Sequence, residues 1–196
     1  NLHSNKIKFE KELNNLDLLA LDFTTILNKL NIKYIIFSGY IAILFGRSRS
    51  SEDIDILVEK INFNQFKELW KESLINFECI NTSIPEEAYN SYLSSDIPIR
   101  FARPNTFEPN IEMKFPKTDM DSYSLNNKIE ISLNSQKFFT SPLESQISFK
   151  LFLGSDKDIE DAKFLYSLFK DKLNLSLLNE FNRKLKVVEM FDKYLK

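Results

Sequence analysis

The spacing of hydrophobic residues changes along the chain and predicts helices and strands in turn. From Phe9 to Leu30, and again from Phe63 to Leu74, apolar residues recur at steps of three and four, which predicts two helices. Between these helices, Tyr34–Phe37 and Ile54–Val58 are short runs rich in β-branched and aromatic residues, which predict buried strands. The apolar segment Tyr40–Phe45 predicts one or two helical turns between the strands.

The middle of the chain has a strand-and-turn pattern, because short apolar runs are separated by proline, asparagine and serine. In one of these runs apolar and charged residues alternate strictly, so Glu112 and Lys114 are predicted on one face of a strand. Four strands are predicted here: Phe77–Ile80, Ile97–Phe101, Ile111–Phe115 and Ile129–Leu133.

The last third of the chain is predicted to be helical. Ser141 is the expected N-cap of its first helix, with Glu144 completing a capping box. Helical spacing continues from there, with a break near Gly154–Ser155. We therefore expect a core with an N-terminal helix over residues 1–140 and a helical lobe over residues 141–196, packed together as a single compact unit.

Composition narrows the possible classes of function. A chain of 196 residues with 43% hydrophobic and 28% charged residues is ordinary for a globular protein, and a net charge of −2 disfavours a general nucleic-acid-binding surface. One cysteine (Cys79) and one histidine (His3) exclude an intrachain disulfide, a zinc site of soft ligands and histidine-based triads. His3 is interpreted as a surface residue rather than a catalyst.

The same features predict where the protein works. A single cysteine suits the reducing cytoplasm. No signal-peptide pattern is visible, and no apolar run approaches the ~20 residues of a membrane span, so no membrane association is expected. Any catalysis must come from carboxylates, lysines, arginines and a hard metal ion.

Two aspartates mark the most informative segment. Asp53 and Asp55 are two residues apart in a predicted strand, so their carboxylates lie on one face while Ile54 points into the core. Neighbouring carboxylates repel each other, and a divalent cation relieves that repulsion. Mg²⁺ prefers hard oxygen ligands and is often held by one or two carboxylates together with substrate phosphates.

The residues before this pair suit a phosphate group. Ser38 and Gly39 follow a predicted strand, where a small residue and a glycine let the backbone approach a phosphate closely. Arg47 and Arg49 come shortly after, and guanidinium groups neutralise phosphate oxygens well. The segment therefore favours a site for a metal-bound phosphate ester, although an exposed Asp-x-Asp strand edge is common in proteins without such a site.

The combined pattern resembles the nucleotidyltransferase superfamily, which includes DNA polymerase β-like enzymes. Ser38-Gly39 lies where the family has Gly-[Gly/Ser], with serine in place of the first glycine. A spacer of thirteen residues, Tyr40 to Glu52, leads to Asp53-Ile54-Asp55. The local form Arg49-x-Ser51-x-Asp-Ile-Asp resembles the branch of minimal enzymes that contains AbiEii-type and MenT-type toxins.

A second resemblance lies in the helical third. Relatives in this branch often carry a helix with a lysine followed by a Lys-Asp-x-x-Asp element, and here Lys150 precedes Lys157-Asp158-Ile159-Glu160-Asp161. The resemblance implies that Lys150 reaches a nucleotide phosphate and that Asp158 orients Lys150 or the acceptor. A solvated helix face of mixed charge is an equally simple reading of these residues.

The resemblance implies an α+β nucleotidyltransferase fold: a small mixed sheet flanked by helices, with a C-terminal helical lobe. It also implies transfer of a nucleoside monophosphate from an NTP to a hydroxyl. Asp53 and Asp55 would hold Mg²⁺ or Mn²⁺, with a third carboxylate at Glu112 or, as the second choice, at Glu130. The implied nucleotide-binding residues are Ser38, Gly39, Arg47, Arg49, Ser51, Lys150 and Asp158.

Several partners remain open at this point. The acceptor is an RNA end such as that of tRNA, a protein side chain or a small molecule such as an aminoglycoside. A cognate antitoxin is a further candidate partner. The alternative function is a catalytically degenerate copy of the fold that acts as a binding partner in a toxin–antitoxin-like system. The presence of Asp53, Asp55 and the Ser38-Gly39 turn favours the enzyme.

Overall fold

The computed structural model describes residues 6–196, so His3 lies outside the described part of the chain. Its centre is one eight-stranded sheet with the strand order β1-β7-β8-β2-β3-β6-β5-β4. The strands are β1 Lys6–Phe9, β2 Tyr34–Phe37, β3 Asp53–Val58, β4 Glu78–Cys79, β5 Ile99–Ala102, β6 Asn110–Lys114, β7 Ile129–Leu133 and β8 Gln136–Thr140.

Parallel and antiparallel neighbours are mixed in this sheet. Strand β3 lies antiparallel to β2 and parallel to β6, while β8 lies parallel to β2 and antiparallel to β7. The edge strands β1 and β4 pair with β7 and β5 respectively. A mixed sheet with flanking helices is the α+β class that the sequence predicts.

Helices cover the sheet and form the last third of the chain. They are α1 Asn15–Lys29, α2 Gly39–Leu44, α3 Phe63–Ser73, α4 Pro85–Glu87, α5 Asp119–Asn126, α6 Leu143–Leu153, α7 Asp156–Phe169, α8 Leu175–Lys184 and α9 Val188–Tyr194. A π-helical turn and a 3-10 turn follow α4, at Ala88–Tyr92 and Leu93–Ser95. None of the helices in residues 6–196 is long and apolar enough to cross a membrane.

The two faces of the sheet are covered unequally. Ile54, Ile56 and other inward residues of the central strands belong to the main hydrophobic core, where α1 and α3 pack. On the opposite face, Ile35 and Leu57 form only a small cluster with Leu125 of α5. Since alternate residues of a strand share a face, Asp53 and Asp55 lie on this second, more open face.

The N-terminal segment differs from its prediction. A helix was expected from Phe9, but Lys6–Phe9 is a strand and α1 begins at Asn15. Asn14 caps this helix through a capping box with Asp17, and both hydrogen bonds measure 2.9 Å. The three- and four-residue spacing of apolar residues therefore begins before the helix does, because the capping box at Asn14 determines where α1 starts. Helix α5 and strand β8 were not predicted as separate elements.

The predicted cap at Ser141 is wrong. Pro142 is the N-cap of α6 and no side chain makes a capping hydrogen bond. Glu144 instead accepts a 2.7 Å hydrogen bond from the backbone N–H of Asn174, so its carboxylate serves the start of α8. Long-range packing has replaced the local motif, because residues 143–148 at the start of α6 are buried.

The helical third meets the core beside α2. The predicted break is present, because α6 ends at a left-handed Gly154 and Ser155 caps α7. The ring of Phe45, after α2, packs edge-on against Phe169 of α7 with centroids 4.8 Å apart. The division into residues 1–140 and 141–196 stays a prediction.

Candidate active site on the open face of the sheet

Three carboxylates come together on the open face. The parallel register of β3 and β6 places Asp55 opposite Glu112 and Asp53 opposite Asn110. Asp53, Asp55 and Glu112 are all half-buried, which leaves each of them accessible to a ligand. The Ser51 hydroxyl lies 3.1 Å from the Asp53 carbonyl oxygen and 3.5 Å from its carboxylate.

A lysine lies between two of these carboxylates. Lys114 Nζ is 3.3 Å from Asp55 Oδ1 and 3.7 Å from Glu112 Oε1. The same ammonium group lies 4.8 Å from the ring centroid of Phe37. Glu112 also pairs with Arg100 of β5 at 2.5 Å. The two cations balance the three carboxylates only in part.

Burial and crowding perturb Asp55. Burial raises the pKa of its carboxyl, and the neighbouring charges of Asp53 and Glu112 raise it further. Lys114 acts in the opposite direction but does not outweigh them, so the pKa stays above its ordinary value. The raised pKa means that the ionised form of Asp55 is disfavoured next to two other carboxylates. A further cation at this position would stabilise the ionised form.

The other candidate for the third carboxylate lies elsewhere. Glu130 is on β7, which is separated from β3 by β8 and β2. It pairs with Lys6 at 2.7 Å and Lys137 at 3.6 Å. Hydrogen bonding from Lys6 lowers its pKa. Glu112 is therefore the residue that the structure brings to Asp55.

The Ser38-Gly39 turn is tightly shaped. Ser38 has a φ of 67°, in a region that costs a non-glycine residue about 1–3 kcal/mol, and its N–H donates to Gln146 Oε1 at 3.0 Å. A Cβ atom on Gly39 would lie 2.5 Å from Arg49 Nη2 and 3.4 Å from Ser51 Oγ. Glycine is needed at position 39 because the arginine approaches its backbone so closely.

The remaining predicted residues form a buried charge cluster centred on Asp161. This carboxylate has no exposed surface and receives two bonds from Arg49, at 3.0 and 2.7 Å. Arg47 Nε and Lys150 Nζ lie 2.9 and 3.0 Å from its two oxygens. We call Arg47, Arg49, Lys150, Asp158 and Asp161 the Asp161 cluster.

Asp158 completes the Asp161 cluster. Lys150, which is 2% exposed, donates to Asp158 Oδ1 at 2.6 Å, and the Ser155 hydroxyl donates to the other oxygen at 2.5 Å. Burial raises the pKa of Asp158, but the hydrogen bonds from Lys150 and Ser155 outweigh it and hold the pKa below its ordinary value. Three cations thus share two carboxylates, which leaves one positive charge in excess.

The carboxylates of the open face and the Asp161 cluster meet at the Ser38-Gly39 turn. Arg49 of the Asp161 cluster and Ser51, which contacts Asp53, both pack against Gly39. The structure therefore brings the predicted residues into one continuous region. The arginines and Lys150 reach it already bound to carboxylates, which the sequence analysis did not anticipate.

A cleft adjoins the carboxylates on the same face. It has a volume of about 430 Å³ and lies between β2, β3, α5 and α6. Phe37 and Lys114, which face the carboxylates, are part of its lining, and Gln146 lines it beside the turn. The cleft is large enough for a small organic ligand.

Sequence reasoning missed three residues of this region. Lys114 alternates with Glu112, so its place on the face was visible, but its position between Asp55 and Glu112 was not. Asp161 was noted as the last residue of the Lys-Asp-x-x-Asp element, but no role in the site was predicted for it. Nothing in the sequence pointed to Gln146, because its partner Ser38 is 108 residues away.

The three carboxylates Asp53, Asp55 and Glu112 provide the type of oxygen ligand that a divalent cation binds. Among residues 6–196 no three histidine, cysteine or acidic side chains already converge at metal-binding geometry. The ammonium of Lys114 lies in the space between Asp55 and Glu112, where a cation is electrostatically favoured. Asp53 and Asp55 offer the hard oxygen ligands that Mg²⁺ prefers.

Comparison with known proteins agrees with this arrangement at the level of the fold. The sequence matches no protein-family model and no curated protein. The structure is similar to an antigenic nucleotidyltransferase-like protein from Paracoccidioides brasiliensis, with a TM-score of 0.54 and 19% identity over 93% of this chain and 94% of the other. It is also similar to the antibiotic-resistance factor ANT(2'')-Ia, with a TM-score of 0.56 and 11% identity over 92% and 99%.

The chain has the nucleotidyltransferase fold. Both similar structures are covered almost end to end, so the likeness includes the helical third as well as the sheet. The mixed sheet with flanking helices that the sequence resemblance implied is confirmed. At these identities the likeness concerns the fold, and the chemistry depends on the residues of the site.

Proposed function

We propose that this protein is a metal-dependent nucleotidyltransferase that moves a nucleoside monophosphate from an NTP to a hydroxyl acceptor and releases pyrophosphate. The observation that carries the proposal is the register of β3 with its two neighbours, which sets Glu112 of β6 beside Asp55 and places Phe37 of β2, just before the Ser38-Gly39 turn, opposite Asp55. Three incompletely neutralised carboxylates on an open face, joined to a tight turn, suit a triphosphate with its cation.

Asp53 and Asp55 would hold Mg²⁺ or Mn²⁺, with Glu112 beside them as the third carboxylate. The bound cation would neutralise phosphate charge and lower the pKa of the attacking hydroxyl. Glu112 would accept the proton of that hydroxyl, and its contacts with Arg100 and Lys114 orient its carboxylate. Lys114 would leave Asp55 when the cation binds and would then face the substrate phosphates.

The Asp161 cluster supports the phosphate end of the site. Its excess positive charge lies behind Gly39, where it favours the negative triphosphate and the leaving pyrophosphate. Arg49 keeps the Ser38-Gly39 turn and Ser51 in place, while Asp158 orients Lys150. These residues would act mainly by positioning, because their charged groups are already paired.

The acceptor and the biological setting are finer parts of the same proposal. One similar structure is named as an antibiotic-resistance factor, which supports a small-molecule acceptor. The Arg-x-Ser-x-Asp-Ile-Asp form supports the toxin branch, with an RNA or protein acceptor and a cognate antitoxin. The alternative, a degenerate binding protein, is disfavoured because all three carboxylates face the open side of the sheet.

The proposal is tested by incubating the protein with each α-labelled NTP, Mg²⁺ and an extract containing RNA, protein and small molecules. We expect a labelled product with the wild type and none with the Asp53→Asn/Asp55→Asn variant. Glu52→Gln removes one charge from an exposed neighbouring residue and serves as the matched control, which should label normally. The class of the labelled product identifies the acceptor.

Binding of an NTP distinguishes the proposed enzyme from the alternative, a degenerate binding protein. An NTP with Mg²⁺ that binds the folded state raises the unfolding temperature. Labelling that persists in the double aspartate variant would contradict the proposed roles of Asp53 and Asp55. No label and no stabilisation by any NTP would favour the degenerate binding protein.

A further inference from the structure

The cleft beside the carboxylates is lined mainly by apolar side chains. Ile35, Phe37 and Leu57 form its floor on the sheet, and α5 and α6 form its walls. Phe149 and Phe152 of α6 lie with ring centroids 6.2 Å apart and planes within 27° of parallel, and Phe152 is 55% exposed. Such a cleft fits a flat ring better than a charged group.

One polar side chain in the lining has a buried hydrogen-bond donor to spare. Gln146 is 2% exposed, and its Nε2 makes no hydrogen bond within residues 6–196. Its orientation is fixed, because the Ser38 N–H can donate only to the amide oxygen, Oε1. The NH₂ group is therefore a pure donor, and leaving a buried donor unpaired is unfavourable.

The cleft offers little to a phosphate. Of its two lining lysines, Lys117 pairs with Asp96 at 3.3 Å, and Lys114 lies at the end of the cleft next to Asp55, where the proposed function places the phosphates. The cations of the Asp161 cluster are bound to their own carboxylates. An acceptor atom on an otherwise apolar ring satisfies the Gln146 donor at a lower desolvation cost than a phosphate oxygen does.

We propose that this cleft holds the nucleobase of the NTP and that Gln146 Nε2 donates to an exocyclic carbonyl oxygen on the base. The inference rests on the proposed function. The Ser38–Gln146 hydrogen bond ties the phosphate turn to the donor, and Lys114 links the cleft to the carboxylates, so one nucleotide spans both. Uracil, guanine and cytosine carry an exocyclic carbonyl, whereas adenine carries an amino group and is disfavoured.

Calorimetry with Mg²⁺ tests the inference through a ratio of affinities. UTP, GTP, CTP, ATP and inorganic tripolyphosphate are titrated into the wild type, and we expect ATP to bind about tenfold more weakly than the other three NTPs. Gln146→Glu keeps an oxygen for the Ser38 N–H and removes the donor. Its added charge weakens all five probes, but the preference over ATP should vanish.

Two further variants complete the design. Gln146→Met preserves size and apolar contact without a donor, and it should also lose the preference. It removes the acceptor of the Ser38 N–H as well, so tripolyphosphate binding can weaken in this variant and only the ratio of NTP affinities tests the donor. Gln136→Glu makes the same chemical change at an exposed strand residue and should keep the tenfold preference. Each variant is compared by its UTP-to-ATP affinity ratio, which a purely structural defect does not alter.

The outcomes separate this inference from the proposed function. Equal binding of the four NTPs, or a preference that survives in Gln146→Glu, would overturn the base-reading role. Tripolyphosphate that binds as tightly as the NTPs would show that the base adds nothing to binding, and it would also overturn the base-reading role. Selective NTP binding without any labelled product would sustain the inference and contradict transfer, whereas no binding of any probe would contradict both.

Discussion

The two charged regions of this protein are neighbours with opposite designs. On the open face, Asp53, Asp55 and Glu112 are half-buried, and within residues 6–196 the cations that pair with them are Lys114 and Arg100. In the Asp161 cluster, three cations surround two carboxylates that are almost completely buried. The first region has too little positive charge for its carboxylates, and the second has too much.

This difference separates binding from support. A buried charge is tolerated only when paired and hydrogen-bonded. Arg49, Lys150, Asp158 and Asp161 meet that condition within the protein, whereas Arg47 is paired with Asp161 but its buried Nε makes no hydrogen bond among residues 6–196. The open face does not meet the condition, and the raised pKa of Asp55 records the conflict. Incompletely neutralised carboxylates are typical of a ligand-binding site. The ion pairs of the Asp161 cluster instead join the helical third to the loop after α2.

The largest effect should come from breaking the saturated region. Asp161→Asn leaves Arg47, Arg49 and Lys150 without their shared counter-charge, so we expect the free energy of unfolding to fall by about 3–5 kcal/mol. Urea denaturation measures this loss. Glu160→Gln, one residue away and exposed, should leave the urea midpoint unchanged. Similar stability of the two variants would show that the Asp161 cluster does not stabilise the fold.

A smaller effect is expected where the two regions meet. Gly39→Ala places a methyl group against Arg49, whose guanidinium is held by Asp161, and should cost about 1–3 kcal/mol in unfolding free energy. The cost should shrink in the Asp161→Asn background, because Arg49 is then free to move. Equal costs in both backgrounds would argue against this coupling.

The two regions should also respond to pH in opposite directions. The pKa of Asp158 is lowered, so its stabilisation is present above its unfolded pKa, near 3.8, and is lost as pH falls through the folded value. The pKa of Asp55 is raised, so its contribution is fully present below 3.8 and is lost as pH rises through the folded value.

Unfolding free energies measured over a pH series check these signs. Asp158→Asn should flatten the acid side of the stability profile. Asp55→Asn should remove the loss above pH 3.8 and make the protein more stable than the wild type at neutral pH by about 0.5–2 kcal/mol, as is common when a functional site is relieved of strain. A destabilised Asp55→Asn variant would contradict the description of the open face as incompletely neutralised.

The smallest effect concerns Lys114, whose ammonium group lies between Asp55 and Glu112. Lys114→Gln should lower the unfolding free energy by less than about 1 kcal/mol in the absence of metal, as expected for a partly exposed pair. Added Mg²⁺ should erase the difference from the wild type, because the metal then supplies the missing charge. Lys117→Gln, which removes a lysine paired with Asp96, should respond equally with and without Mg²⁺.

Local sequence information was sufficient for much of the fold and for part of the site. The alternation through Asp53-Ile54-Asp55 determined which carboxylates share a face, and the apolar runs located β2, β3 and β6 within one or two residues. The same local logic failed at Ser141, where a capping motif was overridden by burial of α6 and by the contact between Glu144 and Asn174.

What the sequence determined by itself was therefore the face and the charge of each residue, since both follow from the period of a strand or helix. Only the tertiary structure decided the neighbours. Strand order placed Glu112 rather than Glu130 beside Asp55, and chain packing carried Asp161 to Arg49 across 112 residues. Alternation gives the side of a sheet on which a residue lies, but strand pairing depends on long-range contacts that no local pattern records.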